Sequence, residues 1–422
     1  MIMHIDGNSF YAACERVYRP DLTHSPIAVL SNNDGIIIAL NTECKALGFK
    51  RGDVFFENRE KLKKSGVAVF SSNYTLYADM SARMNLIYHR FASEVEFYSI
   101  DESFLFFPAW KNVDYSEIGS KIKETVMRET GIPVSVGIAP SKTLAKMCNK
   151  LAKRLGGVCD WLKVNQEEEL ANYPVGDIWG IGSSKAAFLK RRGITTALAL
   201  KNYPLNQAKK HLTITGFRTV QELNGITAID KVEYAPRQVV MVSRSFQSPV
   251  YDLSGITTAL AEYTQEAVKR MRAEGLSCRF VSVYLMTNAF AQGEQYFNQL
   301  STELPHLSAY LPEIQGAANE LLRRIFRPGF KYRKVMIGLI GLENDDNPQL
   351  DLFDTHYNEV KRLEPLMEVF DRINDRYGRG TVKLCSGLGD KKPQGEAALW
   401  ETKREYLSPK YTTDIRDVPR VF

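Results

Sequence analysis

Three carboxylates stand at the ends of apolar, strand-like segments of this chain. Asp6 follows Met1-Ile2-Met3-His4-Ile5, and Asp101 and Glu102 lie between Val95-Glu96-Phe97-Tyr98 and Phe104-Leu105-Phe106-Phe107. Such a set can hold two divalent cations over a phosphoryl group. Phosphoryl transfer asks little covalent chemistry of a protein; it asks for metal ions that stabilise the attacking oxygen, the leaving oxygen and the charge between them. Magnesium takes only one or two protein carboxylates and completes its octahedron with water and substrate oxygens, so a sparse acidic set suffices. Consecutive residues on a regular strand point to opposite faces. Asp101 and Glu102 can therefore serve one site only from a hairpin turn or a bulge.

The elements that must carry these acids belong to a large chain. At 422 residues it is too long for one hydrophobic core and should divide into several domains. A hydrophobic fraction of 44% with 25% charged residues is ordinary globular composition. The formal net charge of +6 is compatible with an anionic partner, but local clustering of Lys and Arg says more. The six cysteines, Cys14, Cys44, Cys148, Cys159, Cys278 and Cys385, form no C-x-x-C pair, which argues against zinc and thioredoxin-like sites and assigns them to packing. With no signal peptide and no apolar run long enough to cross a bilayer, the expectation is a soluble, reduced, cytoplasmic protein without a membrane partner.

Asp6-Gly7-Asn8-Ser9-Phe10-Tyr11 and the tetrad Ser99-Ile100-Asp101-Glu102 together resemble the Y-family DNA polymerases, which carry an Asp followed by Phe-Tyr-Ala and, later, a Ser-x-Asp-Glu hairpin. More closely, the chain is similar from end to end to the UmuC family of bacterial translesion polymerases. Supporting segments include Leu30-Ser31-Asn32-Asn33-Asp34-Gly35, Phe70-Ser71-Ser72-Asn73-Tyr74, Ser243-Arg244-Ser245-Phe246 and Leu407-Ser408-Pro409-Lys410-Tyr411. The resemblance implies an α+β multidomain right hand: a ferredoxin-like palm at 1–16 and 75–165, small fingers at 17–74 and a helical thumb at 166–230. A little finger at 237–343, a linker at 344–359 and a C-terminal partner-binding region at 360–422 complete it. The palm sheet should be antiparallel or mixed, with helices on one face. Independently of the resemblance, the apolar pattern from 237 to 342 reads strand, helix, strand, strand, helix, strand, a split βαβ arrangement.

The resemblance also assigns roles. Metal ligands would be Asp6, Gly7, Asp101 and Glu102, holding two Mg2+ ions, with the three acids as catalytic residues. Phe10 and Tyr11 would lie beneath the sugar of the incoming deoxynucleoside triphosphate, Tyr11 excluding a 2′-hydroxyl. Thr42 and Lys45 stand where many relatives have tyrosine and arginine; Lys45 keeps the charge but loses the bidentate fork. Lys142, Lys146, Lys150 and Lys153 share one helical face, opposite Leu144, Cys148, Leu151 and Leu155. Lys153 matches the triphosphate lysine, and the other three are expected to be solvated. Gly180-Ile181-Gly182 resembles a helix-hairpin-helix turn whose backbone N–H groups approach a DNA phosphate. Arg244 and Arg279, with Arg237, Arg333 and Lys334, flank little-finger strands as candidate DNA contacts.

After the polar stretch Asn344-Asp345-Asp346-Asn347-Pro348 comes Gln349-Leu350-Asp351-Leu352-Phe353, an apolar peptide in a polar setting. It resembles the bacterial sliding-clamp motif, with Gln349, Leu350, Leu352 and Phe353 as anchors. Family resemblance further implies primer-template DNA, a processed UmuD-like dimer and RecA as partners, in the SOS response to DNA damage. Two rivals remain: an inert polymerase-shaped scaffold, which would be expected to lack the acids, and a DinB-type polymerase acting without the accessory dimer.

Overall fold

The apolar alternation at the start of the chain becomes the middle strand of a five-stranded sheet. The computed structural model describes residues 1–108, 113–231, 237–344, 357–378, 380–384 and 403–418. Across this sheet the order is Glu94–Phe97, Glu102–Phe106, Ile2–Gly7, Val134–Ala139 and Val158–Asp160. Only the last pair is parallel, so the sheet is mixed. The chain forms two units, Met1–Glu233 with Arg404–Phe422, and Tyr234–Lys403.

Side-chain alternation sends Met3 and Ile5 to one face and Ile2, His4 and Asp6 to the other. Met3 and Ile5 pack under the helices Phe10–Val17, Tyr74–Tyr88 and Tyr115–Thr130. Ile2 and Phe104 join a second core with helix Lys142–Ala152 and the helices of the thumb. Helices thus cover both faces rather than the one expected, because residues 140–223 bring enough apolar side chains to close the second.

Helix Lys142–Ala152 lies unusually close to the sheet. A Cβ on Gly137 would stand 2.2 Å from the Asn149 backbone nitrogen and 2.3 Å from the Ala145 carbonyl oxygen. The Asn149 side-chain amide donates to the carbonyls of His4 at 2.9 Å and Ser135 at 2.7 Å, pinning the helix to two neighbouring strands. This seat overturns the expectation of a solvated lysine face. Lys142 is 1% exposed and pairs with Glu96 at 2.7 Å; Lys146 is nearly buried as well. A buried ammonium survives only with a charged partner, and both have one. Lys150 is exposed, and Leu155, expected to pack, is 57% exposed beyond the helix end.

The fingers are a three-stranded sheet, ordered Ile37–Leu40, Ile27–Leu30, Ala68–Ser71, with helices Thr42–Ala46 and Phe55–Lys64. The thumb is helical, from Gln166–Asn172 to Thr213–Leu223. In the second unit the predicted order of strands and helices holds: a four-stranded antiparallel sheet, Phe297–Ser308, Leu276–Thr287, Tyr332–Asn344, Val239–Val250, packs on helices Leu253–Arg272 and Leu311–Ile325. The expected C-terminal region 360–422 is not one body. Met367 and Phe370, on helix Tyr357–Tyr377, join the little-finger core, whereas Arg404 onward belongs with the first unit. The candidate clamp peptide 349–353 lies outside the described residues. The five described cysteines are buried, as packing residues should be.

Because the neighbours of Gly137 are backbone atoms that cannot rotate away, Gly137→Ala should cost the first unit roughly 3 kcal/mol or more in equilibrium urea unfolding. Gly316→Ala, where an added methyl on helix Leu311–Ile325 meets nothing within 4 Å, is the control and should be neutral or stabilise by up to about 1 kcal/mol.

Candidate active site

The hairpin between strands Glu94–Phe97 and Glu102–Phe106 decides where two acids sit. Asp101 is in the turn and Glu102 is the first residue of its strand. Ser99 staples the turn: its hydroxyl donates to Asp101 Oδ1 at 2.7 Å and accepts from the Glu102 N–H at 3.1 Å. The Gly7 N–H donates to the Asp101 carbonyl at 2.9 Å, tying the turn to the first strand. Asp6 and Glu102 are register partners on adjacent antiparallel strands. The hairpin condition is met, and all three acids line one cleft of about 880 Å³.

Each strand-borne acid faces an ammonium. Lys153 Nζ donates to Asp6 Oδ1 at 3.1 Å, and Lys146 Nζ to Glu102 Oε1 at 2.7 Å. Lys146 also lies over the Tyr98 ring at 4.2 Å, and the Trp179 indole N–H donates to the Tyr98 hydroxyl at 3.0 Å. From below, buried His4 places Nε2 3.2 Å from Glu102 Oε1. Burial alone would raise the Glu102 carboxyl; the adjacent His4 ring and the bond from Lys146 overcome it and hold it at about 2. For Asp6 burial dominates and pushes the carboxyl up, against the pull of Lys153. Burial likewise lowers His4, favouring the neutral imidazole.

Among the described residues no three His, Cys, Asp or Glu side chains converge tightly enough to hold an ion as they stand. The physical reason is visible: Glu102 is turned to Lys146, Asp6 to Lys153 and Asp101 to Ser99. The donor set nevertheless suits a hard cation, with oxygen ligands on one cleft wall and positions already attractive to positive charge. Asp6, Asp101 and Glu102 would hold magnesium, with the Gly7 carbonyl beside them.

Tyr11 stands on helix Phe10–Val17 rather than on a strand, and its ring lines the cleft. It stacks on Tyr77 at 4.4 Å, with Tyr74 edge-on at 6.1 Å. Phe10 also lines the cleft but is buried in the palm core, packed so close that a Cβ at Gly7 would stand 3.1 Å from its Cδ2. Lys45 lines the cleft as well, whereas Thr42 is exposed on the first turn of its helix and lies outside the lining. Two basic residues that the sequence reading passed over, Lys50 and Arg51, do line it. Their signal was a Lys-Arg pair immediately before a glycine, Gly52, with φ of 98°. Arg51 supplies the guanidinium fork that Lys45 lacks.

The candidate DNA contacts fare unevenly. Gly180 has φ of 84°, and Gly182 caps helix Ser183–Lys190 without a side-chain bond, leaving open space where a Cβ would be. Arg244 does not present a free guanidinium: it pairs with Glu266 at 2.6 Å and lies over Tyr263 on the helix-covered side of its sheet. Arg279 pairs with Glu303 at 3.4 Å, Arg237 with Glu274 at 3.2 Å, and Arg333 donates to the Gln247 carbonyl at 2.7 Å.

The Glu102 carboxyl is held below its unfolded value near 4.5, so its contribution to stability is full above that pH and is lost as pH falls towards 2. The difference in urea midpoint between the natural chain and Glu102→Gln should narrow through that window. A gap independent of pH would contradict the His4 and Lys146 anchoring.

Residues 5–150 match the impB/mucB/samB family and residues 237–352 its C-terminal domain, while 364–421 match a domain of unknown function. Protein UmuC of Salmonella typhimurium is 39% identical over 99% of both chains, and protein MucB of Escherichia coli 37% over 99% of both. DNA polymerase IV 2 of Bacillus subtilis is 28% identical, covering 92% of this chain and 94% of its own. A solved Y-family polymerase chimera, Dbh-Dpo4(243-245)-Dbh, superposes with a TM-score of 0.66 at 19% identity, over 83% of this chain and 99% of its own. An insertion ternary complex of Dbh DNA polymerase gives 0.52 at 19%, over 81% and 98%. With its acids, its cleft and its fold agreeing, the chain belongs to the impB/mucB/samB family and is a DNA polymerase of the Y-family, in its UmuC branch.

Proposed function

We propose that the chain adds deoxynucleotides to a primer 3′ end opposite damaged template, in the bacterial SOS response. The observation that carries this reading is the cleft itself, lined together by the three acids, by Lys45, Lys50 and Arg51, and by Tyr11. The primer 3′-hydroxyl attacks the α-phosphate, the bond to the bridging oxygen breaks and pyrophosphate leaves. Two magnesium ions held by Asp6, Asp101 and Glu102 would supply charge neutralisation at the attacking and leaving oxygens. Lys153 and Arg51 bind and orient the triphosphate, supplying the positioning and charge stabilisation on which phosphoryl transfer chiefly relies. Tyr11 occupies the volume beside C2′ and selects against ribose. Lys146 and His4 fix the Glu102 carboxylate in its ionised form.

Small fingers cover the incoming base pair poorly, which suits templates with bulky or missing bases. The linker peptide Gln349 to Phe353 would dock on the sliding clamp, and a processed UmuD-like dimer and RecA on the C-terminal region. The working place is then the cytoplasm, at the DNA; among the described residues no helix is long and apolar enough to cross a membrane.

Primer extension across an abasic site, with clamp, accessory dimer and activated RecA added stepwise, tests the reading. Asp101→Ala should abolish nucleotide addition while primer-template affinity stays within about three-fold, because the substitution leaves the phosphate contacts that dominate affinity untouched. Extension near the natural rate would remove Asp101 from the chemistry. Replacing Leu352 and Phe353 with Ala should abolish clamp stimulation but not distributive synthesis, since two apolar anchors contribute on the order of a few kcal/mol in a partner's groove. A sharp fall in melting temperature would instead place the peptide in the fold.

A further inference from the structure

The last described stretch returns to the first unit and closes the seam between fingers and palm. Glu405 N–H donates to Asp34 Oδ2 at 2.8 Å. Tyr406 exchanges bonds with Ser71, receiving the Ser71 N–H at 2.9 Å and donating its own N–H to the Ser71 hydroxyl at 3.0 Å, while its ring stands edge-on to Phe55 at 5.5 Å. Further on, Tyr411 stacks on Tyr18 beside helix Phe10–Val17 at 4.7 Å and is 8% exposed. These contacts span more than three hundred residues of sequence.

Between those anchors Ser408 reaches two buried groups. Its hydroxyl accepts from Asn73 Nδ2 at 2.9 Å and stands close enough to the Glu15 carboxyl to favour its ionised form, although Glu15 Oε2 itself makes no hydrogen bond. Asn73 caps helix Tyr74–Tyr88 through its other amide atom, Oδ1, at 3.2 Å from the Leu76 nitrogen. Glu15 is fully buried and accepts the Tyr77 hydroxyl at 2.7 Å. Burial pushes that carboxyl up to about 7, against the pull of Tyr77 and Ser408. Tyr77, equally buried, is the platform on which the Tyr11 ring stacks at 4.4 Å, 14° from parallel.

We propose that residues 404–411 form a strap that fixes Tyr11 at the nucleotide site through Ser408, Asn73, Glu15 and Tyr77, making these four positioning residues for the choice between deoxyribose and ribose. The inference rests on the reading of Tyr11 as the residue that excludes a 2′-hydroxyl. The discrimination turns on one oxygen atom, so a ring free to shift by about 1 Å would lose it. Tyr11 is only partly buried and is held from beneath by Tyr77. Tyr77 in turn keeps its place because a buried phenol needs its hydrogen-bond partner, and that partner is sheltered by the strap. The segment matched only as a domain of unknown function thereby acquires a role at the catalytic centre.

The test is the ratio of kcat/KM for a deoxynucleotide to that for its ribonucleotide, on undamaged primer-template, in the full chain. Glu15→Leu and Ser408→Val should each lower the ratio by about ten-fold, the scale of an unmade bond to a buried group, chiefly through a fall in the ribonucleotide KM. Glu15→Gln, whose amide oxygen still accepts from Tyr77, should keep the ratio within about two-fold of the natural chain. Tyr406→Ala, which detaches the strap at its other end, should act like Ser408→Val and serves if Glu15→Leu does not fold. Tyr11→Ala run alongside separates the failures. If Tyr11→Ala relaxes sugar choice while the strap variants do not, or if Glu15→Gln and Glu15→Leu behave alike, the strap proposal is overturned and the gate stands. If Tyr11→Ala itself leaves sugar choice unchanged, both fall.

Discussion

The approach of helix Lys142–Ala152 to the sheet at Gly137 is the constraint on which the catalytic wall depends. Only a residue without Cβ lets the Asn149 and Ala145 backbone come so near the strand. Once there, Asn149 bonds the carbonyls of His4 and Ser135, fixing both the height and the rotation of the helix. Lys146 and Lys153 lie seven residues apart, two turns of helix, so both face the strand ends where Glu102 and Asp6 emerge. Lifting the helix by the diameter of a methyl group would separate both pairs. Glycine at one position and asparagine at another therefore govern charges that neither residue touches.

Those charges explain how Asp6 and Glu102 persist side by side in a folded core. Two carboxylates brought together on neighbouring strands repel, and burial raises the free energy of each ionised form. Lys153 offsets this partly at Asp6; His4 and Lys146 more than offset it at Glu102. The ammonium groups sit where cations are favoured, so on the proposed reading a bound ion would exchange one positive partner for another instead of creating charge balance anew. Arg51 and Lys50, from the fingers, line the same cleft as the three acids.

Much of this was legible in the sequence, and the failures share a cause. The acids, the hairpin and the strand-helix order of the little finger follow from local pattern: alternation of period two, turn chemistry and helix length. Lys142 and Lys146 misled because helical periodicity finds a charged face but not the acid that meets it; Glu96 and Glu102 arrive from strands far away in sequence. Arg244 misled in the opposite sense, since a charged residue among serines on a strand reads as exposed until Glu266 of the covering helix is seen to claim it. The strap left no local signal at all. Ser408 and Asn73 are ordinary polar residues, and only the tertiary fold makes them one network.

The central claim is that Asp6, Asp101 and Glu102 form one site for two metal ions beneath a triphosphate. Its most direct test is anomalous diffraction from crystals grown in Mn2+ with primer-template and a non-hydrolysable deoxynucleoside triphosphate. The account predicts two manganese peaks bounded by these three carboxylates, with the Lys153 ammonium moved from Asp6 to the phosphates. Peaks placed elsewhere, or Lys153 and Lys146 still paired with Asp6 and Glu102 and no metal between the acids, would contradict it.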